Sequence, residues 1–123
     1  PAITDEALKT IGRIYSLRWL SLNATGITDN GLVHLNGLRG LYSLHMDHTA
    51  ITDAGMHLFT IVTRPVDVSI RHTRVTPAGL RHCLHLSYLT TIRLEGCPIT
   101  RAEADDFAKQ HRKGGSNLRI TVT

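Results

Sequence analysis

The chain contains 123 residues, of which 41% are hydrophobic and 5% aromatic, and its formal charge is +4 with eight histidines counted as neutral. This length fits one domain, and the absence of a run of about 18 apolar residues excludes a membrane-spanning helix. Two cysteines are too few for a disulfide scaffold. We expect both thiols to be reduced, which favours the cytoplasm, although the sequence leaves the compartment open.

A three-residue signal recurs along the chain at a constant interval. Its copies begin at positions 3, 27, 51, 75 and 99, so that successive copies lie 24 residues apart. The copies are Ile3-Thr4-Asp5, Ile27-Thr28-Asp29, Ile51-Thr52-Asp53, Val75-Thr76-Pro77 and Ile99-Thr100-Arg101. A fixed period of this length indicates one supersecondary unit stacked on copies of itself. Positions within a copy are numbered below as phases, with Ile3 in phase 1.

In chain order, each copy predicts a helix followed by a strand. In the first copy, Leu8, Ile11 and Ile14 recur every three residues, which indicates one stripe of a helix. Leu20 and Leu22 are two residues apart, so both point to one face of a short strand. Later copies repeat this order, with the inward strand pairs Leu44 and Met46, Val68 and Ile70, and Ile92 and Leu94. Strands of equivalent phase are expected to pair in parallel and to share one continuous core.

The residues around each helix start also recur in phase. A threonine in phase 2 can cap free amide groups with its hydroxyl. These residues are Thr4, Thr28, Thr52, Thr76 and Thr100. Thr100 with Glu103 matches a capping box. Gly31, Gly55 and Gly79 share phase 5, although a glycine inside a helix costs about 1 kcal/mol relative to alanine. Three such glycines predict that a neighbouring repeat approaches too closely for a side chain.

The fifth copy, residues 101–123, has the features of a C-terminal capping repeat. Its helix is predicted over residues 101–113, acidic at the start and basic at the end, which complements the helix dipole. In the following strand, Leu118 lies 26 residues beyond Ile92, which predicts a two-residue insertion. No comparable cap is recognisable at the N-terminal end, so oligomerisation through that open edge is compatible with the sequence.

The strand region of the first copy reads Leu17-x-x-Leu20-x-Leu22-x-x-Thr25-x-Ile27, and the second to fourth copies keep this pattern with other apolar residues at several leucine positions and with Cys97 in place of the fourth threonine. This pattern resembles the leucine-rich repeat. It is most similar to the cysteine-containing type, which is known from F-box adaptors and many bacterial, especially planctomycete-type, proteins. The resemblance covers essentially the whole chain, although Pro65 replaces a core leucine. It implies one α/β domain over residues 1–123, a right-handed leucine-rich-repeat solenoid of about five 24-residue strand–helix repeats with a parallel sheet on the concave face.

Strand phases 17, 19 and 21 point away from the core, onto the expected concave face. Adjacent strands lie about 4.8 Å apart, so residues of one phase are neighbours. Asp47, Arg71 and Glu95 share phase 21 and predict a ladder of alternating charge, which either neutralises itself or forms a polar binding strip. Trp19 is expected to be exposed beside Tyr42 unless another element covers it. The candidate protein-binding residues are Trp19, Tyr42, His45, Asp47, Asp67, Arg71, His72, Arg93 and Glu95.

Metal binding and catalysis find less support. His45, His48, His72 and Asp47 are the one set of potential metal ligands on this face, but histidine is frequent throughout the chain. We therefore predict no metal and no cofactor. Outward serines lie near His45 in phase, but a flat strand face offers no oxyanion hole. The chain is therefore predicted not to be an enzyme.

Stacked repeats offer extended surfaces rather than catalytic clefts. The sequence therefore favours a non-catalytic module that binds a protein or peptide on its concave face. The alternative is a structural or targeting segment of a larger multidomain protein. Nucleic acid is not the expected partner, because the basic residues are spread over all copies and the few aromatic residues do not alternate with them. No membrane association is predicted.

Overall fold

The computed structural model describes residues 3–111 and 118–123. Five strands form one parallel sheet in chain order. They are β1 (Trp19–Ser21), β2 (Ser43–His45), β3 (Asp67–Ser69), β4 (Thr91–Arg93) and β5 (Arg119–Thr121). The α-helices are α1 (Asp5–Ile11), α2 (Asp29–Leu32), α3 (Pro77–Leu80) and α4 (Arg101–His111), and 3-10 segments span Val33–Leu35, Gly55–Thr60 and Arg81–Cys83. Among the helices of these described residues, none is long and apolar enough to cross a bilayer.

The strand register follows the 24-residue period through the fourth copy and departs from it in the fifth. Leu20 pairs with Leu44, as the period predicts. Ile92 pairs with Ile120, which lies 28 residues later, so the insertion contains four residues and the predicted two was wrong. Because strand side chains alternate with period two, a shift by two residues keeps Leu118 and Ile120 packed against the core. The outward residues of β5 consequently lie two phases earlier than predicted.

The segments that return the chain to the next strand are shorter and tighter than predicted. The second and fourth copies each pass from a four-residue α-helix into a 3-10 turn, and the third copy is 3-10 over Gly55–Thr60. A helical segment is present in every copy, as predicted, but in the second to fourth copies it is short and partly or wholly of the 3-10 type. A 3-10 helix rises about 2.0 Å per residue, against about 1.5 Å for an α-helix, so fewer residues cover the same distance. The predicted end of α4 beyond residue 111 lies outside the described residues.

One apolar core runs through the copies, with the inward strand residues at its centre. Cys83 and Cys97 are free, buried thiols. Burial raises the pKa of the Cys83 thiol, which therefore stays protonated. Cys97 Sγ donates to the carbonyl of Ile70 at 2.9 Å, and the hydroxyl of Thr73 donates to the same carbonyl at 2.8 Å. The predicted place of Cys97 in a threonine ladder is thus confirmed.

Aspartates in phase 3 join each copy to the next. Asp29 Oδ1 accepts a hydrogen bond from the backbone nitrogen of Thr52 at 2.8 Å, and Asp29 Oδ2 accepts from its hydroxyl at 2.5 Å. Asp5 makes the same two contacts with Thr28, and Asp53 makes them with Thr76. The sequence signal Ile-Thr-Asp therefore encodes contacts between copies as well as a helix start.

The predicted threonine caps are confirmed in part. Thr76 Oγ1 accepts from the backbone nitrogen of Ala78 at 3.2 Å, and Thr52 accepts from Ala54 at 3.3 Å. In α1 and α2 the phase-2 threonine makes no side-chain cap.

The phase-5 glycines lie directly against these aspartates. A Cβ added to Gly31, Gly55 or Gly79 would overlap the carboxylate of the preceding copy. The predicted close approach is confirmed, and the neighbour that causes it is a side chain of the adjacent repeat.

The fourth copy lacks the phase-3 aspartate, and a glutamate of the fifth copy accepts the hydrogen bond that this aspartate would otherwise accept. Pro77 occupies phase 3, where a carboxylate would otherwise reach Thr100. In the fifth copy, phase 5 holds Glu103 instead of glycine. Glu103 Oε1 accepts from the backbone nitrogen of Thr100 at 2.9 Å, and Thr100 Oγ1 accepts from the backbone nitrogen of Glu103 at 3.1 Å. This confirms the capping box and explains why it occurs only where the aspartate is missing.

Candidate protein-binding face

The outward side chains of the strands form the candidate face, and Asp67 on β3 lies at its centre. Asp67 Oδ2 accepts hydrogen bonds from Ser43 Oγ at 3.0 Å and from His45 Nε2 at 2.7 Å. Asp67 Oδ1 accepts from Arg93 Nη1 on the opposite side. One carboxylate thus fixes side chains from the two neighbouring strands. The structure brings together His45, Asp67 and Arg93, three of the residues predicted from the sequence.

Ser43, His45 and Asp67 carry the groups of a hydrolytic triad but not its geometry. In a triad, the serine and the carboxylate bind different nitrogens of the imidazole. Here His45 Nε2 contacts both, at 3.3 Å from Ser43 Oγ and 2.7 Å from Asp67 Oδ2. Because an ionised carboxylate accepts only, Nε2 carries the proton and cannot act as a base toward Ser43. The cluster is an arrangement for fixing side chains.

Asp47 forms a second network one strand away. Its Oδ1 accepts from Ser69 Oγ at 2.6 Å and from the backbone nitrogen of Arg71 at 2.8 Å. Its Oδ2 accepts from Arg71 Nε at 3.1 Å and Nη2 at 3.0 Å. Asn23, in the same phase of the preceding copy, accepts from the backbone nitrogen of Asp47 at 2.8 Å. In phase 21, the side chain of one copy therefore accepts a hydrogen bond from the backbone nitrogen of the same phase in the next copy. Asn23 accepts from Asp47, and Asp47 accepts from Arg71.

The predicted charge ladder is only half formed. Asp47 and Arg71 pair as expected, but Asp47 is 2% exposed and so supports Arg71 rather than facing a partner. Glu95 has no ion pair with Arg71 in the described part of the chain, and its Oε1 is buried without a hydrogen-bond partner there. Arg71 remains available at the surface, since 46% of its side chain is exposed.

Both central aspartates are held in the ionised state. Burial alone would raise the pKa of Asp67, but hydrogen bonds from His45, Arg93 and Ser43 outweigh it and leave the pKa below its ordinary value. Burial likewise opposes ionisation of Asp47, and hydrogen bonds from Ser69 and Arg71 again lower the pKa overall. At neutral pH the two carboxylates therefore hold the two guanidinium groups in place.

The aromatic candidates lie at the first repeats and are exposed. Trp19 on β1 is 58% exposed, and its ring meets the ring of His45 edge-on, with centroids 6.2 Å apart. Tyr42 is 56% exposed and directly precedes β2, so it lies at the rim of the face rather than on a strand. Within the described chain, no other element covers Trp19. It is therefore an exposed aromatic side chain beside His45, which belongs to the Asp67 network.

His72 directly follows Arg71 in the turn after β3, and its backbone nitrogen donates to the carbonyl of Glu95 at 2.8 Å. Its ring stacks on that of His48, with centroids 4.3 Å apart and planes 15° apart. Both residues have positive φ, 57° for His48 and 58° for His72, as does Gly96 in the same phase at 79°. His45 and Asp47 are occupied in the networks above. Among the described residues, no group of three or more histidine, cysteine or acidic side chains is placed to hold a metal.

Sequence reasoning missed that Ser43 and Ser69 are buried, although both lie in outward phases. Each hydroxyl donates to an aspartate from a neighbouring copy. Ser43 and Asp67 share phase 17 in adjacent copies, and this relationship was the available signal. The hydrogen bond from Ser69 in phase 19 to Asp47 in phase 21 joins residues two phases apart and was harder to foresee.

Comparison with known proteins identifies the architecture. Internalin C2 from Listeria monocytogenes has a similar solved structure, with a TM-score of 0.71 and 25% identity over 94% of this chain. The fold is a leucine-rich-repeat solenoid. A tropomodulin C-terminal domain from Caenorhabditis elegans matches with a TM-score of 0.73 and 14% identity, covering 97% of this chain and 82% of that one. Internalin F from Listeria monocytogenes matches with a TM-score of 0.51 and 15% identity over 94% of this chain.

The repeat domain spans 55% of the internalin C2 chain and 45% of the internalin F chain. No protein-family model and no curated protein matches the sequence.

Proposed function

We propose that this leucine-rich-repeat domain is a non-catalytic protein-interaction module that binds a protein or peptide on its concave strand face. The internalin structures support a protein-interaction repeat module in general terms. The 24-residue Ile-Thr-Asp copies support the cysteine-containing repeat type. The choice of the strand face, and of the residues within it, rests on the geometry of this chain.

The observation that carries the proposal is that two arginines are held in place on the same strand face as an exposed tryptophan. Arg93 is held by Asp67, and Arg71 is held by Asp47. Each guanidinium is nevertheless partly exposed, and Trp19 is exposed on β1 of the same sheet, where its ring contacts that of His45. Tryptophan, tyrosine and arginine are the residues most enriched in interface hot spots. Holding them before binding lowers the entropy cost of ordering them in a complex.

The charges of the face indicate the chemistry of the partner. Arg71 and Arg93 are suited to pairing with carboxylates, and Trp19 offers a flat apolar surface. Asp47 and Asp67 are turned inward to these arginines and give a partner few free negative charges to meet. The partner segment is therefore expected to carry at least one acidic and one apolar side chain.

Quantitative affinity capture tests the proposal. The domain is immobilised, incubated with an extract of its source cells, and captured proteins are measured by mass spectrometry. A Trp19→Ala, Arg93→Ala variant is compared with wild type and with a Val33→Ala, Arg81→Ala variant, whose sites are exposed on the helix side. Circular dichroism establishes that all three proteins are folded.

A protein retained by wild type and the helix-side variant, but depleted at least tenfold on the strand-face variant, is the expected result. A protein that is depleted on the helix-side variant but retained on the strand-face variant would instead place the site on the helices. If no captured protein distinguishes the variants, the interpretation as a structural or targeting segment gains support and the strand-face proposal fails.

A further inference from the structure

The loops that enter β1 to β4 carry basic side chains and no acidic ones. These loops are residues 12–18, 36–42, 61–66 and 84–90, and together they form what we call the basic edge. They contain no Asp or Glu, although the chain has ten acidic residues. They contain four arginines and all three tyrosines of the chain. These residues are Arg13, Arg18, Arg39, Arg64, Tyr15, Tyr42 and Tyr88, and every one is exposed.

Backbone hydrogen bonds make the basic edge continuous from copy to copy. The backbone nitrogen of Tyr42 donates to the carbonyl of Arg18 at 2.7 Å. Val66 then donates to Tyr42, and Thr90 donates to Val66, both at 2.8 Å. Equivalent loop residues of successive copies are therefore direct neighbours.

Side chains of the basic edge lean onto the following copy. Arg64 lies over the ring of Tyr88, with its Cζ 5.1 Å from the ring centroid. The Arg18 side chain runs beside Gly40, where an added Cβ would lie 3.7 Å from its Nε. The ring of Tyr15 lies similarly beside Gly37. Arginine and tyrosine side chains of the basic edge therefore lie against neighbouring copies.

A cleft lies at the N-terminal end of the basic edge. It has a volume of about 360 Å³ and is lined by Lys9, Gly12, Arg13, Tyr15, His34 and Gly37. Lys9 also pairs with the exposed Glu6 at 3.1 Å. The remaining polar lining is cationic or aromatic, and Gly37 is exposed there. Such a cleft suits an anionic group with a flat ring beside it.

We propose that the basic edge binds single-stranded nucleic acid, with its arginines contacting phosphates and its tyrosines stacking on bases. Nonspecific binding of single strands combines a positive track with aromatic platforms. An acidic peptide would also satisfy the arginines, but a run of carboxylates has no flat ring to stack on the tyrosines, whereas every base has one. A duplex keeps its bases stacked internally and therefore gains less from the rings.

Sequence analysis did not predict this surface, because the residues occupy different phases. Tyr15 and Arg39 lie in phase 13, Arg64 and Tyr88 in phase 14, and Tyr42 in phase 16. Only the folded loops bring them to one edge. The inference goes beyond the strand-face function and does not rest on it, since the variants below leave β1 to β5 unchanged.

Fluorescence anisotropy with a labelled oligothymidylate tests the inference. The oligonucleotide is about ten nucleotides long, which is within the range that small single-strand-binding domains cover. Titrations are made at about 50 and about 200 mM salt. The edge variant is Arg18→Ala, Arg39→Ala, Arg64→Ala. The control variant is Arg74→Ala, Arg81→Ala, Arg101→Ala, which removes the same charge from exposed positions elsewhere. An aromatic variant carries Tyr15→Leu and Tyr88→Leu. Circular dichroism verifies that each is folded.

Wild type is expected to bind with a Kd on the order of 10 µM at the lower salt concentration. The edge variant should bind at least tenfold more weakly, with a salt slope reduced by about 2, since each phosphate contact contributes about 0.7. The aromatic variant should lose about tenfold without a change in slope, and the control should stay within about twofold of wild type.

Three results would overturn the inference. The first is no binding at about 100 µM protein and the lower salt concentration, since nonspecific binding falls below that limit. The second is equal weakening by the edge and control variants, which would indicate attraction by net charge alone. The third is competition by polyglutamate as strong as that by unlabelled oligothymidylate, which would assign the edge to an acidic peptide.

Discussion

The carboxylate of Asp29 occupies the space that a side chain on Gly55 would need. This pairing links adjacent repeats, and Asp5 with Gly31 and Asp53 with Gly79 repeat it. The same aspartates hold the threonines of the next copy through two hydrogen bonds each. The contact is therefore the main polar device that sets the stacking of the repeats.

A double-mutant cycle measures the pairing of Asp29 with Gly55. Gly55→Ala should lower the free energy of unfolding by about 1–3 kcal/mol, because the new Cβ overlaps the carboxylate. In an Asp29→Ala background most of this cost should disappear, giving a coupling of at least about 1 kcal/mol in urea unfolding. Gly40→Ala is the control, since its Cβ would meet Arg18 at an ordinary 3.7 Å. Additive effects of the two substitutions would contradict the steric account.

Deleting one complete repeat should leave a folded protein. Removal of residues 51–74 makes Asp29 the neighbour of Thr76 and Gly79, which are equivalent to its present neighbours. The remaining units and interfaces should still give a cooperative melt, at a lower Tm, because repeat stability is roughly a sum of such terms. Removal of residues 51–62 alone breaks the register and should abolish cooperative unfolding. Equal circular dichroism and melting for the two deletions would refute the period-based architecture.

The buried carboxylate of Asp47 should contribute more to stability than an exposed one. Asp47→Ala leaves the Ser69 hydroxyl and the Arg71 backbone nitrogen without their acceptor, which should cost about 2 kcal/mol. Asp105→Ala removes an exposed contact with Arg101 at 4.0 Å and should cost less than about 0.5 kcal/mol. Urea unfolding at neutral pH compares the two. Similar losses would show that the Asp47 network is not an important support of the strand face.

Acid should destabilise the protein through Asp47 and Asp67. Both pKa values lie below the ordinary 3.8 in the folded state. Their contribution to stability is therefore complete above the ordinary pKa and is lost as pH falls through the lower folded value. The free energy of unfolding should fall more steeply between about pH 4 and about pH 2 in wild type than in an Asp47→Asn, Asp67→Asn variant. Parallel pH profiles for the two proteins would be inconsistent with these shifts.

The fold was largely predictable from the sequence because the residues that determine it recur every 24 positions. Leu20 and its equivalents set strand positions and faces, and the 24-residue spacing set the register. The register of β5 could not be read in the same way, because an insertion of four residues preserves the alternation of inward and outward positions as well as one of two does. The 3-10 geometry of Gly55–Thr60 also leaves no periodic signature distinct from a short helix.

The candidate site was predictable as a set of positions but not as a network. The position of Trp19 within its copy predicted that it points outward and is exposed. The equivalent positions of Asp47 and Arg71 in adjacent copies predicted their ion pair. These positions did not indicate that Asp47 would be buried, because burial depends on where the long side chain of Arg71 lies. The hydrogen bonds of Asp67 to two strands likewise depend on rotamers, which a one-dimensional pattern does not contain.

Hydroxyl-radical footprinting of the domain, alone and with its captured partner, tests the strand-face assignment most directly. Trp19 and Val33 are almost equally exposed in the free protein, at 58% and 59%, but lie on opposite sides of the solenoid. Oxidation of each residue is compared with its own rate in the free domain. Binding should protect Trp19 several-fold and leave Val33 unchanged. Protection of Val33 with undiminished oxidation of Trp19 would contradict the account and place the partner on the helices.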